Sequence, residues 1–300
     1  MGVAWLSEQE KMEKKKLAEN FIADRKLMHA LQVYHYLLDQ TDDPQFKMSI
    51  AMIYWLMGNI SAYEKYLLLF LEDYPYSDYV RFEVSTFLMD CACWESTIEV
   101  LSVMDATKKP EIYYRIGYSY FNFKNLKLAR KYFELYLNSD YEFELKTKTV
   151  YYLGLIDLFE GNYDQAINKL KECEFYYNSN SRFYYFLANA YRLSGMYTHA
   201  SLYIMKSIRL SEKFSLAYLE AAVIFNALKQ FDKSEKFLQK YSVMEDNISF
   251  EFNLVSAETY IGLGKFDEAQ VCLTVAEQEN PNNPQVQKLK NLLLLISEAE

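Results

Sequence analysis

The feature that most constrains this chain is a pattern that repeats about every 34 residues, the length of a helix–turn–helix unit. Gly58-Asn59, Gly161-Asn162-Tyr163-Asp164-Gln165-Ala166, Gly195-Met196-Tyr197 and Gly264-Lys265-Phe266-Asp267-Glu268-Ala269 each stand between two stretches with apolar residues at helical spacing. With that Gly at position 15 of a unit, units begin near Lys11, Pro44, Asp78, Pro110, Thr147, Ser181, Ser215 and Phe250. The steps between them are 33, 34, 32, 37, 34, 34 and 35 residues.

Positions not used to set this register agree with it. Position 8 reads Ala18, Ala51, Ser85, Gly117, Gly154, Ala188, Ala222 and Ala257, small throughout. Position 20 reads Ala30, Tyr63, Thr97, Ala129, Ala166, Ala200, Ser234 and Ala269, with Tyr63 the one departure. Position 24 is large and apolar: Tyr34, Leu67, Leu101, Phe133, Leu170, Ile204, Leu238 and Leu273. Position 11 is mostly aromatic, with Asp157 in the fifth unit. All five prolines fall at joints between units, where no helical donor is lost. A single helix pair of this kind cannot bury its apolar face, and stacking neighbours completes the core. Pro284 to Glu300 reads as one further amphipathic helix, with Val286, Leu289, Leu293 and Ile296 inward, covering the end of the stack.

These residues resemble the tetratricopeptide repeat (TPR) family over residues 11–283, with 1–10 as a lead-in and 284–300 as a capping helix. The likeness is strongest in units four, five, six and eight. Units one to three are degenerate, carrying Lys14, Lys47 and Arg81 where the family has an aromatic. An insertion around Tyr141–Lys146 follows unit four. The resemblance implies an all-α, right-handed superhelical solenoid of antiparallel helix pairs, with the first helix of each pair lining a concave face.

In this family, positions 2, 5, 9, 12 and 13 of that helix point into the groove. In units three to six the resemblance places Tyr79, Phe82, Tyr114, Tyr118, Phe121, Asn122, Tyr151, Phe159, Tyr185, Asn189 and Arg192 there. Tyr and Phe bury large area at low entropic cost, which suits them to anchoring a partner's peptide or helix. The two-carboxylate clamp of chaperone-tail binders is disfavoured. Of the position 5 residues only Lys15 fits it, and Glu19 at the companion position has the wrong sign.

Composition narrows the partners. A net charge of −9 argues against nucleic acid, whose phosphates need basic clusters. Residues 216–300 hold seven Lys/Arg and thirteen Asp/Glu, so a basic partner could dock on these repeats. Apolar runs are too short to span a membrane, and the start lacks the pattern of a secretory signal. Four Cys make no disulfide framework, and a cytoplasmic location is the expectation. Cys91-x-Cys93 lacks the further ligands zinc needs, and His29, His35 and His199 have no recurring acid or thiol companion. No phosphate loop, nucleophile elbow or dinucleotide fingerprint appears, so neither cofactor nor catalysis is expected. The expectation is a non-enzymatic scaffold or adaptor within a larger assembly. The alternative is a chaperone or targeting receptor that binds peptides transiently. Self-association through the stack's ends is a further expectation.

Overall fold

A computed structural model describes residues 6–139, 143–246 and 248–297. These residues form seventeen α-helices, with no strand among them. The chain divides into two compact units, Met1–Leu145 and Lys146–Glu300. The first contains α1 (Glu8–Ala23), α2 (Leu27–Thr41), α3 (Gln45–Leu56), α4 (Ile60–Glu72), α5 (Asp78–Asp90), α6 (Trp94–Ser102), α7 (Glu111–Asn122) and α8 (Leu126–Leu137). Helix α9 (Phe143–Phe159) begins at the junction. The second unit continues with α10 (Tyr163–Cys173), α11 (Ser181–Leu193), α12 (Tyr197–Leu210), α13 (Ser215–Ala227), α14 (Phe231–Met244), α15 (Phe250–Gly262), α16 (Phe266–Glu279) and α17 (Pro284–Ser297).

Local chemistry sets the helix starts. Ser7 and Glu10 form a reciprocal capping box, so α1 opens inside the stretch read as a lead-in. Asn59, Ser77, Asn125, Asn180 and Ser249 each accept a hydrogen bond from the N–H three residues on, satisfying a donor the helix leaves free. Of the insertion, residues 141 and 142 lie outside the described residues, and from Phe143 the chain is already helical.

The turn within each pair has one geometry. Position 15 has positive φ in all eight units: Gly58, Gly161, Gly195 and Gly264, but also Arg25, Ala92, Lys124 and Lys229. The following N–H reaches back to the carbonyl of position 11, as Asn162 does to Asp157 (2.8 Å) and Met196 to Tyr191 (2.8 Å). This left-handed cap satisfies carbonyls the first helix would otherwise leave open.

Every residue at positions 8, 20 and 24 is buried, Tyr63 included. The small residues let paired helices approach. A Cβ on Gly117 would stand 2.8 Å from Cδ1 of Phe133, and one on Gly154 would stand 3.2 Å from Leu170. Each buried position 24 side chain contributes about 1.5–3 kcal/mol. Position 11 packs on position 23 of the partner helix. Tyr54 on Tyr66, Tyr120 on Tyr132, Tyr191 on Tyr203 and Phe225 on Phe237 are stacked rings with centroids 5.3–5.6 Å apart. In the fifth unit the same contact is an ion pair, Asp157 Oδ2 to Lys169 Nζ at 2.5 Å, which accounts for the acid at an aromatic position. At the end of the second unit, Val286 and Leu293 of α17 are buried against Ala257, Leu273 and Ala276, and Leu289 packs at the edge of this cluster. Ile296 is half-buried.

Candidate functional site

In the first unit, the residues proposed for a groove mostly contact one another or neighbouring elements of the same unit, with Tyr79 left open. Tyr79 is 75% exposed and borders a hollow of about 340 Å³ with Met48, Phe70 and Tyr74. Phe82 is buried, its ring covered by Lys109 Nζ at 2.9 Å and the Arg115 guanidinium at 3.6 Å. Tyr114 lies about 6 Å from Tyr118, Phe133 and Tyr136, and Tyr118 meets Trp94 edge-on at 5.7 Å. Phe121 is half-buried, and Asn122 Nδ2 donates to the Tyr118 carbonyl at 2.9 Å.

In the second unit, Tyr151 of α9 sits among Tyr152, Tyr177 and Phe183, with Tyr177 at 4.7 Å, and burial pushes its phenol up to about 12. Phe159 is 54% exposed and edge-on to Phe186. Tyr185, Asn189 and Arg192, all on α11, converge on one cavity.

That cavity has a volume of about 700 Å³ and runs along α11, α13 and α15, with α17 at its far side. Its lining repeats the same positions from one helix to the next. Tyr185, Asn189 and Arg192 come from α11; Leu216, Leu219 and Val223 from α13; Glu251, Leu254 and Glu258 from α15. Gln285, Lys288 and Leu289 of α17 complete it. The positions are those the family resemblance assigns to a groove, carried one and two repeats beyond the aromatic stretch.

The polar floor is held by Glu220, one residue outside those positions. Its Oε1 accepts from Arg192 Nε at 2.5 Å and from Asn189 Nδ2 at 3.2 Å, tying α11 to α13. Burial pushes the Glu220 carboxyl up from its ordinary value, while Arg192 and Asn189 oppose the shift. Burial also pushes the Tyr185 phenol up to about 12, aided by the Glu220 charge and opposed by Arg192. The Nη groups of Arg192 have no hydrogen-bond partner among the described residues and remain free to donate. Glu251 and Glu258 are exposed at the rim. The arrangement offers aliphatic contact along its length, a forked donor within, and carboxylates at one edge. It has the apolar lining with a few placed polar groups that ligand grooves share.

The other candidates for chemistry are quiet. Burial pushes the Cys93 thiol up to about 11, aided by Glu64, and raises that of Cys91, disfavouring the reactive thiolate. Each His lies against an aromatic ring: His29 on Phe21, His35 on Tyr66, His199 on Tyr191. Among the described residues, no group of three or more His, Cys, Asp or Glu could hold a metal, and no helix is long and apolar enough to cross a membrane.

No curated protein matches the sequence. One tetratricopeptide repeat family model matches residues 227–293, and a second matches 110–143 and 181–214. Solved structures share the fold at low identity. A tetratricopeptide repeat protein from Parabacteroides merdae has a TM-score of 0.57 at 12% identity, over 84% of this chain and 98% of that one. PilF of Pseudomonas aeruginosa has 0.52 at 14%, over 83% and 96%. YrrB, described as a TPR protein with an unusual peptide-binding site, has 0.50 at 14%, over 62% and 95%. With its register of small buried positions and its eight matching turns, the chain belongs to the tetratricopeptide repeat family.

Proposed function

We propose that this chain is a non-enzymatic adaptor that seats a segment of a partner protein in the groove along α11, α13 and α15. Tetratricopeptide repeats serve in general as protein-interaction modules, and YrrB is a relative in fold described by its peptide-binding site. The observation that carries the reading is the 700 Å³ cavity, whose lining recurs at equivalent positions of three successive repeats. A row of equivalent positions suits an extended or helical segment, which presents side chains at regular intervals.

The segment's chemistry follows from the lining. Leu216, Leu219, Leu254 and Leu289 call for apolar side chains, Arg192 for a carbonyl or carboxylate, and Glu251 with Glu258 for a Lys or Arg. On this reading, a basic partner of the acidic C-terminal repeats would dock at the rim of this groove.

The test is calorimetric titration of the full chain with short synthetic peptides combining Leu with Lys, and with matched peptides combining Leu with Glu. The Leu/Lys set should bind more tightly. The double variant Leu216→Asp, Glu251→Lys should weaken it about tenfold or more without altering the circular dichroism. Indifference of both peptide sets to the double variant would remove the groove from consideration. A complex that survives size-exclusion chromatography with the partner identified by these peptides would favour the scaffold. Rapid exchange would favour a transient receptor.

A further inference from the structure

A second hollow in the second unit shares no lining residue with the groove. It has a volume of about 730 Å³ and lies between the Glu212–Lys213 turn and the last turns of α14. Lys236, Lys240 and Val243 fall on one face of α14 at steps of four and three, and Lys213 approaches from the turn. We propose that this hollow docks a short acidic segment of a partner protein, one that carries an aliphatic or aromatic side chain among its carboxylates. The proposal does not rest on the groove reading and concerns a partner of opposite charge.

Charge is the first ground. Lys213, Lys236 and Lys240 are all exposed, and none forms an ion pair with another described residue. Lys206, Lys265 and Lys290 of the same unit are matched, with Glu174, Glu235 and Glu277, and the unmatched Lys229, Lys233 and Lys288 do not share one hollow. Glu212 is the only carboxylate among the eight lining residues, so the hollow is locally basic within a chain of net charge −9. Three unmatched ammonium groups around one concavity leave a demand for anions that the chain itself does not meet.

The floor is the second ground. Tyr218 is buried, its hydroxyl donates to the Glu212 carbonyl at 3.2 Å, and the Lys240 ammonium stands 5.6 Å from its ring centroid. Val243 is 88% exposed at the mouth, with Met244 beside it. A large apolar side chain left this open, next to a thioether and a ring, can accept an apolar anchor. The same combination argues against a membrane or nucleic acid. An extended polyanion would meet the negative charge of the rest of the chain beyond the three lysines, whereas a short segment would not.

Fluorescence anisotropy on the full chain tests it, using a labelled synthetic peptide that alternates Glu or Asp with Leu and Phe. Controls are the Gln/Asn version of that peptide, phosphatidylserine vesicles and a single-stranded oligonucleotide. The acidic peptide should bind, and more weakly as salt rises. Lys236→Glu with Lys240→Glu should lower affinity about tenfold or more at unchanged melting temperature, since both side chains are exposed. Val243→Ala should weaken it about threefold. The groove variant Leu216→Asp, Glu251→Lys should leave it unaltered, which separates this site from the proposed groove. Equal binding of the Gln/Asn peptide, indifference to the double lysine variant, or binding of vesicles or oligonucleotide but not the peptide would each overturn the proposal.

Discussion

The fourth and seventh repeats put different residues at the same two groove-facing positions, and the surfaces that result differ in kind. At positions 5 and 9, α7 carries Tyr114 and Tyr118, whereas α13 carries Leu219 and Val223. The rings of α7 lean on Trp94, Phe133 and Tyr136, and each finds neighbours within about 6 Å. The aliphatic pair of α13 borders a 700 Å³ cavity. The rings of α7 fill the space against their neighbours, whereas the shorter Leu219 and Val223 border an open cavity that Tyr185 of α11 also lines. Ring density around α7 therefore reports packing, and the cavity lies where the rings thin out along α13 and α15.

The largest expected effect would break this comparison if it failed. Tyr136 is fully buried under the α7 rings, and Tyr136→Ala should cost about 3–5 kcal/mol in urea denaturation. Leu216, 48% exposed on the groove wall, should tolerate Asp within about 0.5 kcal/mol. A Leu216→Asp chain that unfolds more readily than Tyr136→Ala would mean that the groove is core and the ring cluster is surface.

A smaller effect sharpens the comparison at the contact between positions 11 and 23. Four repeats fill it with stacked rings, and the fifth uses Asp157 and Lys169, the acid fully buried and the lysine 31% exposed. Lys169→Met removes the cationic partner at this contact from a buried carboxylate and should cost about 2–3 kcal/mol, below the usual range because the lysine is partly solvated. Asp157→Phe with Lys169→Phe installs the arrangement of the other repeats and should return stability to within about 1 kcal/mol of the natural chain. Thermal denaturation of the two variants measures both. A double variant worse than the single one would show that the ion pair is specific to this repeat.

Much of the scaffold was legible in the sequence because its determinants are local or repeat at fixed spacing. A small residue at positions 8 and 20 is needed wherever two helices approach, so Ala18 and Ala269 carry the same information. The partners at position 23 recur at the same fixed spacing, with Tyr66, Tyr132, Tyr203 and Phe237 opposite position 11 and Lys169 opposite Asp157, but that pairing emerged only with the structure. The groove was less legible. Whether Tyr114 faces a ligand or a neighbour depends on Phe133 and Tyr136 in another helix, which no single-helix pattern encodes. Glu220 lies outside the groove-facing positions and reaches the floor because Arg192, 28 residues earlier, draws it there.

Glu220 also gives the groove a pH signature. Its carboxyl is raised in the folded chain above the ordinary 4.5, so between those two values the folded chain holds a proton that the unfolded chain has lost. The stability linked to this proton is present below about pH 4.5 and is lost as pH rises through the folded value. Glu220→Gln should flatten that part of the stability curve, read from melting temperatures between acid and neutral pH. A slope unchanged in Glu220→Gln would mean that Arg192 and Asn189 cancel the effect of burial.

The smallest effect asks whether the two repeats differ in backbone as well as in side chains. Lys124 ends α7 at φ 61° and Lys229 ends α13 at φ 57°, a left-handed conformation in which any side chain crowds its own backbone. Four other repeats hold Gly at this position with φ between 72° and 83°. Lys124→Gly and Lys229→Gly should each relieve that crowding and stabilise the chain by about 0.5–1 kcal/mol, net of the added freedom of the unfolded chain. Equal gains, measured by denaturation of the two single variants, would place the whole contrast between the repeats in their side chains. If only one variant gained, the turn itself would carry part of the difference, and the cavity along α13 would owe something to where that turn aims the helix.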